Sequence, residues 1–167
     1  MLTKEKVAAV LKSVARIFPG MPSYQEREGL RTQDKIIREQ LAARIDEQVN
    51  RLQEIQSKLA NKVVLQPMAH LDRQSRKIMR LADTIRFASY GYAGLFAGIK
   101  VDEQKLAQLY DYDLSLHQDI EELAVAVGNL QQRQDDQWKT DSLDDFQQAV
   151  NRLEERIAAR KALFSQN

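Results

Sequence analysis

The feature that most constrains this chain is a pair of seven-residue repeats between residues 68 and 130. Leu71, Ile78, Leu81, Ile85, Ala88, Tyr92, Leu95 and Ile99 recur at a/d spacing in the first half. Leu106, Leu109, Leu116, Ile120, Leu123, Val127 and Leu130 do so in the second. Residues at that spacing fall along one side of an α-helix, and an apolar side must be covered by another element. The two halves therefore read as long helices that reverse at residues 98–102. One inward slot is filled by a polar residue, Asp113.

The flanking segments follow the same logic. Thr3 is placed to cap a helix over residues 4–18, with Val7, Val10, Leu11, Val14, Ile17 and Phe18 on one stripe. Pro19, Gly20 and Pro22 end it, since proline cannot continue a helical ladder. Ser23 and Glu26 have the spacing of a capping box for a second helix. Its stripe runs through Ile37, Leu41, Ile45, Val49, Leu52, Ile55, Leu59 and Val63, up to Gln66 and Pro67. The mean step lies slightly above the helical period, which predicts a nearly straight helix. Residues 131–141 carry one large apolar residue, Trp138, and read as a connector. A last helix then carries Phe146, Val150, Leu153, Ile157 and Phe164, with Arg160 in one apolar slot.

The expectation is an all-α protein, a mainly antiparallel up-down bundle of four long helices with a short N-terminal amphipathic helix. Helices are expected near residues 4–18, 24–66, 68–99, 102–132 and 143–164, in one domain that spans 1–167. Scarce Gly and Pro, six and three in 167 residues, agree with that class. There is no cysteine, which removes disulfides and thiolate chemistry. The longest uncharged stretch, residues 87–99, is too short to span a bilayer, which needs about 20 residues. A cytoplasmic location without a transmembrane segment is the corresponding expectation.

Charge is unevenly placed although the whole chain carries only +1. Residues 68–100 hold six Lys or Arg against two Asp, and residues 101–130 hold one Lys against seven Asp or Glu. Arg73, Arg76, Lys77 and Arg80 form a candidate basic surface of the kind that tracks phosphates. If the two helices form a hairpin, Arg80 comes level with Glu121 and Glu122, and Arg86 with Ser115. That pairing argues against nucleic acid as the partner.

Signatures of known chemistry are absent: there is no phosphate-binding loop, dinucleotide fingerprint or zinc-binding His-Glu-x-x-His. One constellation remains. Asp113 and His117 share a helix face, Tyr110 precedes them by one turn, and Tyr90 and Tyr92 lie in a glycine-rich aromatic stretch. Convergence of Tyr90, Tyr92, Tyr110, Asp113 and His117 would make a ligand pocket with phenolic walls and one fixed charge. It would require Asp113 to lack a basic partner. One carboxylate and one imidazole are too few for a tight metal site, so no metal or cofactor is expected. The leading expectation is a non-enzymatic interaction or scaffold protein that works through a protein partner or a homo-oligomer. The alternatives are association of residues 4–18 with a membrane surface, and small-ligand or metal binding near Asp113 and His117.

Overall fold

The computed structural model describes residues 2–20, 27–88 and 103–165. They form an all-α protein of packed helices, with no strand among the described residues. The helices are α1 (Lys4–Ile17), α2 (Arg27–Asn61), α3 (Met68–Arg86), α4 (Glu103–Gln131), a one-turn α5 (Gln137–Thr140) and α6 (Asp144–Ser165). The expected capping box at Ser23 lies outside the described residues; the third helix, expected to reach residue 99, ends at Arg86 with Phe87 as its C-cap, and residues 89–99 lie outside the described residues.

The periodic residues build the core that their spacing demands. Thr3 Oγ1 accepts the Lys6 amide at 3.2 Å and opens α1. Val7, Val10, Val14 and Phe18 are buried, and α1 packs on α4. Ile37 through Leu59 on α2, Leu71, Ile78 and Ile85 on α3, and the whole repeat of α4 join one apolar cluster. Phe146, Val150, Leu153 and Ile157 belong to the same cluster, so α6 shares the core. Trp138 in the connector is buried as well, with the Arg133 guanidinium 5.1 Å above its ring. Burial of each such side chain is worth about 1.5–3 kcal/mol before entropy is charged against it.

Side-chain pairs reveal the directions of the helices. Asp46 meets Arg86 and Gln56 meets Ser75, so α2 and α3 run oppositely. Glu122 meets Arg152, Asp119 meets Arg156 and Asp113 meets Arg160, so α4 and α6 also run oppositely. Arg44 meets His117 and Arg51 meets Ala124, so α2 and α4 run the same way. The Arg51 guanidinium lies over Gly128, where a Cβ would stand 3.1 Å from it. The charge pairing expected between the third and fourth helices is replaced by another. Arg86 is held by Asp46 and Asp83, and Asp113, Asp119 and Glu122 of α4 are matched by arginines recurring every fourth residue on α6.

The end of α2 departs from its periodicity. The helix closes at Asn61, four residues before Leu65. The Val64 amide reaches back to the Leu59 carbonyl at 2.9 Å and the Val63 amide to Ala60 at 3.1 Å. Such a closure needs a residue with positive φ, and Val63 takes φ 57°. Val63, expected in the apolar stripe, is therefore 74% exposed, while Val64 packs against the core. A β-branched side chain is poorly suited to this conformation. Val63→Gly is expected to raise stability by about 1 kcal/mol, net of the entropy that glycine adds to the unfolded chain. Denaturant titration of the two proteins checks it.

Candidate functional site

The interior holds charge. Asp113 is fully buried on α4, and Arg160 from α6 is almost so. The Arg160 Nε donates to Asp113 Oδ1 at 2.6 Å and its Nη2 to Oδ2 at 3.3 Å, a fork-to-fork pair. Asp34 and Arg38 of α2 complete a quartet. Arg38 Nε donates to Asp34 Oδ2 at 2.8 Å, and Arg160 Nη2 stands 3.8 Å from Asp34 Oδ1. Arg38 Nη1 also donates to the Arg86 carbonyl at 2.6 Å, which satisfies the last turn of α3. Two carboxylates and two guanidiniums thus link α2, α3, α4 and α6 with no net charge.

Burial sets the acid–base balance of the quartet. It pushes both carboxyls up, Asp113 well above the usual carboxylate range with Asp34 adding to the effect. It lowers Arg160 to about 10. The bidentate contact of Asp113 with Arg160 opposes its neutralisation. The group that the pocket reading required to be without a basic partner has one, from a residue that itself fills an apolar slot.

His117 is engaged elsewhere. Arg44 Nη1 lies 2.6 Å from His117 Nδ1, and Arg44 Nη2 donates to the Ile17 carbonyl at 3.0 Å. A guanidinium has only donors, so Nδ1 accepts and the ring proton sits on Nε2. Arg44 lies 5.2 Å from the Phe18 ring centroid, and Phe18 meets His117 edge-on at 6.1 Å. Gln40 Nε2 donates to the Pro19 carbonyl at 2.9 Å. These contacts fasten the end of α1 to α2 and α4. Burial, then Arg44, lowers the His117 pKa, against a smaller opposing effect of Glu121. A group whose folded pKa is depressed favours the folded state while neutral. Its contribution is full above about 6.5, the unfolded value, and is lost as pH falls through the folded pKa. Wild type is expected to lose more stability than His117→Gln between pH 7 and 5, because Gln keeps an acceptor for Arg44 without titrating. Parallel denaturation curves at both pH values test this, and equal losses would count against the assignment.

Tyr110 is buried, with its hydroxyl donating to Gln33 Oε1 at 3.1 Å. Burial pushes the phenol up, with Asp34 and Asp113 adding to it, so it stays protonated. Tyr90 and Tyr92 lie outside the described residues. Of the five candidate pocket residues, the three described thus turn to three different partners: Gln33, Arg160 and Arg44. Tyr112 donates to the Arg156 carbonyl at 3.0 Å. His70 is half-buried, and its Nε2 is buried without a hydrogen-bond partner among the described residues.

The basic surface is divided. Arg76 pairs with Asp72 one turn earlier at 2.7 Å, and Lys77 reaches Glu154 of α6. Arg73 and Arg80 are exposed. The stripe faces solvent and α6 rather than the acidic α4. Glu122, Val125, Ala126 and Asn129 of α4 form a shallow groove with Asp145, Gln148, Ala149 and Arg152 of α6.

The arrangement that sequence reasoning missed is the quartet. Its signal was present: Asp113 and Arg160, opposite in charge, each occupy an apolar position of separate repeats. Asp34 and Arg38 carry the i,i+4 spacing of a helical ion pair and gave no hint of burial. Among the described residues no group of three His, Cys, Asp or Glu is placed to hold a metal, and no helix is long and apolar enough to cross a membrane. No family model, curated protein or solved structure matches the chain.

Proposed function

We propose that this protein is a non-enzymatic helical interaction or scaffold module that works through its outer helix faces, by protein partnership or self-association. One observation carries the reading: Tyr110, Asp113 and His117 are each engaged by another residue of the same chain, and these bonds tie helices together. A group committed to holding α4 against α2 or α6 is not free to act on a substrate. The chain instead offers chemistry on its outside. Val63 and Leu65 are exposed at the α2–α3 turn, Phe87 after α3 and Val125 on α4. Arg73 and Arg80 on α3 and Glu121 on α4 are exposed charges.

The apolar stripe of α1 supports no second reading. Val7, Val10, Val14 and Phe18 are covered by the bundle, and only Leu11 among the larger apolar residues of that helix stands substantially out. Sedimentation equilibrium of the intact chain over a wide micromolar range tests self-association. Masses that rise with concentration support it. A single monomeric species throughout removes that form of the proposal and leaves a different protein as the partner.

A further inference from the structure

α1 lies on α4 by one apolar face, and its two ends are held differently. Near its start the Leu2 amide donates to Gln104 Oε1 at 3.2 Å. Lys6 stands 3.9 Å from Asp111, the only ion pair that α1 makes among the described residues, and it is exposed enough to contribute little. The far end is clamped by α2. Gln40 donates to the Pro19 carbonyl, and Arg44 reaches the Ile17 carbonyl with Nη2 while its guanidinium lies against the Phe18 ring. The next residue, Gly20, has φ 84° and nothing within 4 Å of where a Cβ would stand, so the chain leaves the clamp through a free joint.

The clamp works with a neutral imidazole alone. Arg44 Nη1 stands 2.6 Å from His117 Nδ1, where the ring supplies a lone pair. A proton on Nδ1 sets N–H against N–H and one positive charge against another, so the two side chains must part. The charged groups around the ring decide which of them moves. Glu121 lies one turn on along α4 and attracts the imidazolium. Asp113, one turn earlier, is already bound by Arg160. α1 presents the Phe18 ring, and its nearest charged residue in sequence, Arg16, is exposed. Arg44 from α2 is therefore the group that leaves, and with it go the bond to Ile17 and the contact with Phe18.

We propose that Arg44 and His117 form a proton-operated latch on α1: when the imidazole takes a proton, Arg44 releases Ile17, and α1 lifts from α4 as a unit while α2, α3, α4 and α6 stay packed. The latch needs no partner, so it stands apart from the interaction reading. Its direction follows from the seat. With α1 docked the ring is half covered and faces a cation, which favours the neutral form; with α1 lifted the ring is free to titrate near its ordinary 6.5. Lifting therefore takes up a proton and is favoured as pH falls below that value, by up to about tenfold per pH unit, until the docked form is protonated too. What is uncovered is an apolar face, Val7, Val10, Val14 and Phe18.

Native-state hydrogen exchange of the intact chain at pH 7 and pH 5 tests the latch, with each rate corrected for the chemical exchange rate at that pH. In wild type the opening of α1 is expected to rise about threefold or more on acidification, while α2 and α6 keep their protection. His117→Gln keeps an acceptor for Arg44 that does not titrate, and its α1 is expected to show no such rise. That control also separates His117 from Asp113 and from His70, which both remain in the variant. Arg44→Met removes the clamp, and its α1 is expected to be open already at pH 7. The wild-type comparison stands by itself if either variant folds poorly. An α1 that opens equally at both pH values in wild type overturns the latch. So does a rise shared equally by α2 and α6, which marks global loosening, or a rise that persists in His117→Gln. An Arg44→Met protein whose α1 is as protected as wild type at pH 7 overturns the clamp on which the latch depends.

Discussion

Phe18→Ala is expected to destabilise the protein by about 3–5 kcal/mol, the range for removal of a fully buried aromatic ring. Phe18 is 0% exposed and belongs to the central apolar cluster. Its ring also lies under the Arg44 guanidinium at 5.2 Å, so truncation leaves a cavity beside a half-buried charge. For a chain of 167 residues such a loss lowers the melting temperature by roughly 10 °C. Leu11→Ala is the internal control, since Leu11 lies on α1, which Phe18 caps, at 40% exposure, and its loss should cost well under half as much. Native-state hydrogen exchange adds a spatial check. In Phe18→Ala the amides of α1 are expected to exchange faster relative to those of α2 and α4, because α1 loses the residue that seats its end. Equal effects of the two substitutions would show that α1 is not held through Phe18.

The apolar repeats made most of this architecture legible. A residue every third or fourth position on α2, α4 and α6 has one physical solution, and from Ile37 to Leu59, Leu106 to Leu130 and Phe146 to Ile157 those residues are in the core. Helix ends were legible where a side chain enforces them, as at Thr3, and not where the backbone alone does so. Val63 fits the period of α2, but the period cannot foretell a left-handed residue that turns the side chain out. Partner choice was less legible still. Opposite net charge on consecutive helices suggested that they zip together, yet Glu122, Asp119 and Asp113 of α4 are met by Arg152, Arg156 and Arg160 of α6. Net charge per segment is a sum, whereas pairing depends on which turn of which helix comes alongside. The spacing of three arginines at every fourth residue, matched to Glu122, Asp119 and Asp113, was the finer signal. His117 illustrates the same limit: its helix neighbour Asp113 shares its face in sequence, but the two turn to different helices in the fold.

Arg160→Met is expected to cost about 3–5 kcal/mol, the penalty for leaving a buried carboxylate without its cation. Asp113 is 0% exposed, and each of its carboxylate oxygens accepts a hydrogen bond from Arg160. Methionine has a comparable length and fills the volume, so the loss reads electrostatics rather than a cavity. Asp34 retains Arg38 at 2.8 Å, which confines the damage to the α4–α6 seam. Asp113→Leu should cost less than Arg160→Met, because Asp34 Oδ1 stands 3.8 Å from Arg160 and offers the stranded guanidinium a second carboxylate. Guanidinium itself screens charge, so urea is the denaturant of choice for both.

Asp113 and Arg160 are partners that hold α4 against α6, and a double-mutant cycle at these positions measures that partnership most directly. Urea unfolding of wild type, Asp113→Leu, Arg160→Met and the double variant yields their coupling. The prediction is a marked loss in each single variant and recovery of most of that loss in the double variant, since an apolar pair replaces a buried ion pair at little net cost. Stabilisation by Asp113→Leu alone, with additive effects in the double variant, would contradict it and would mark Asp113 as a carboxylate kept for a ligand.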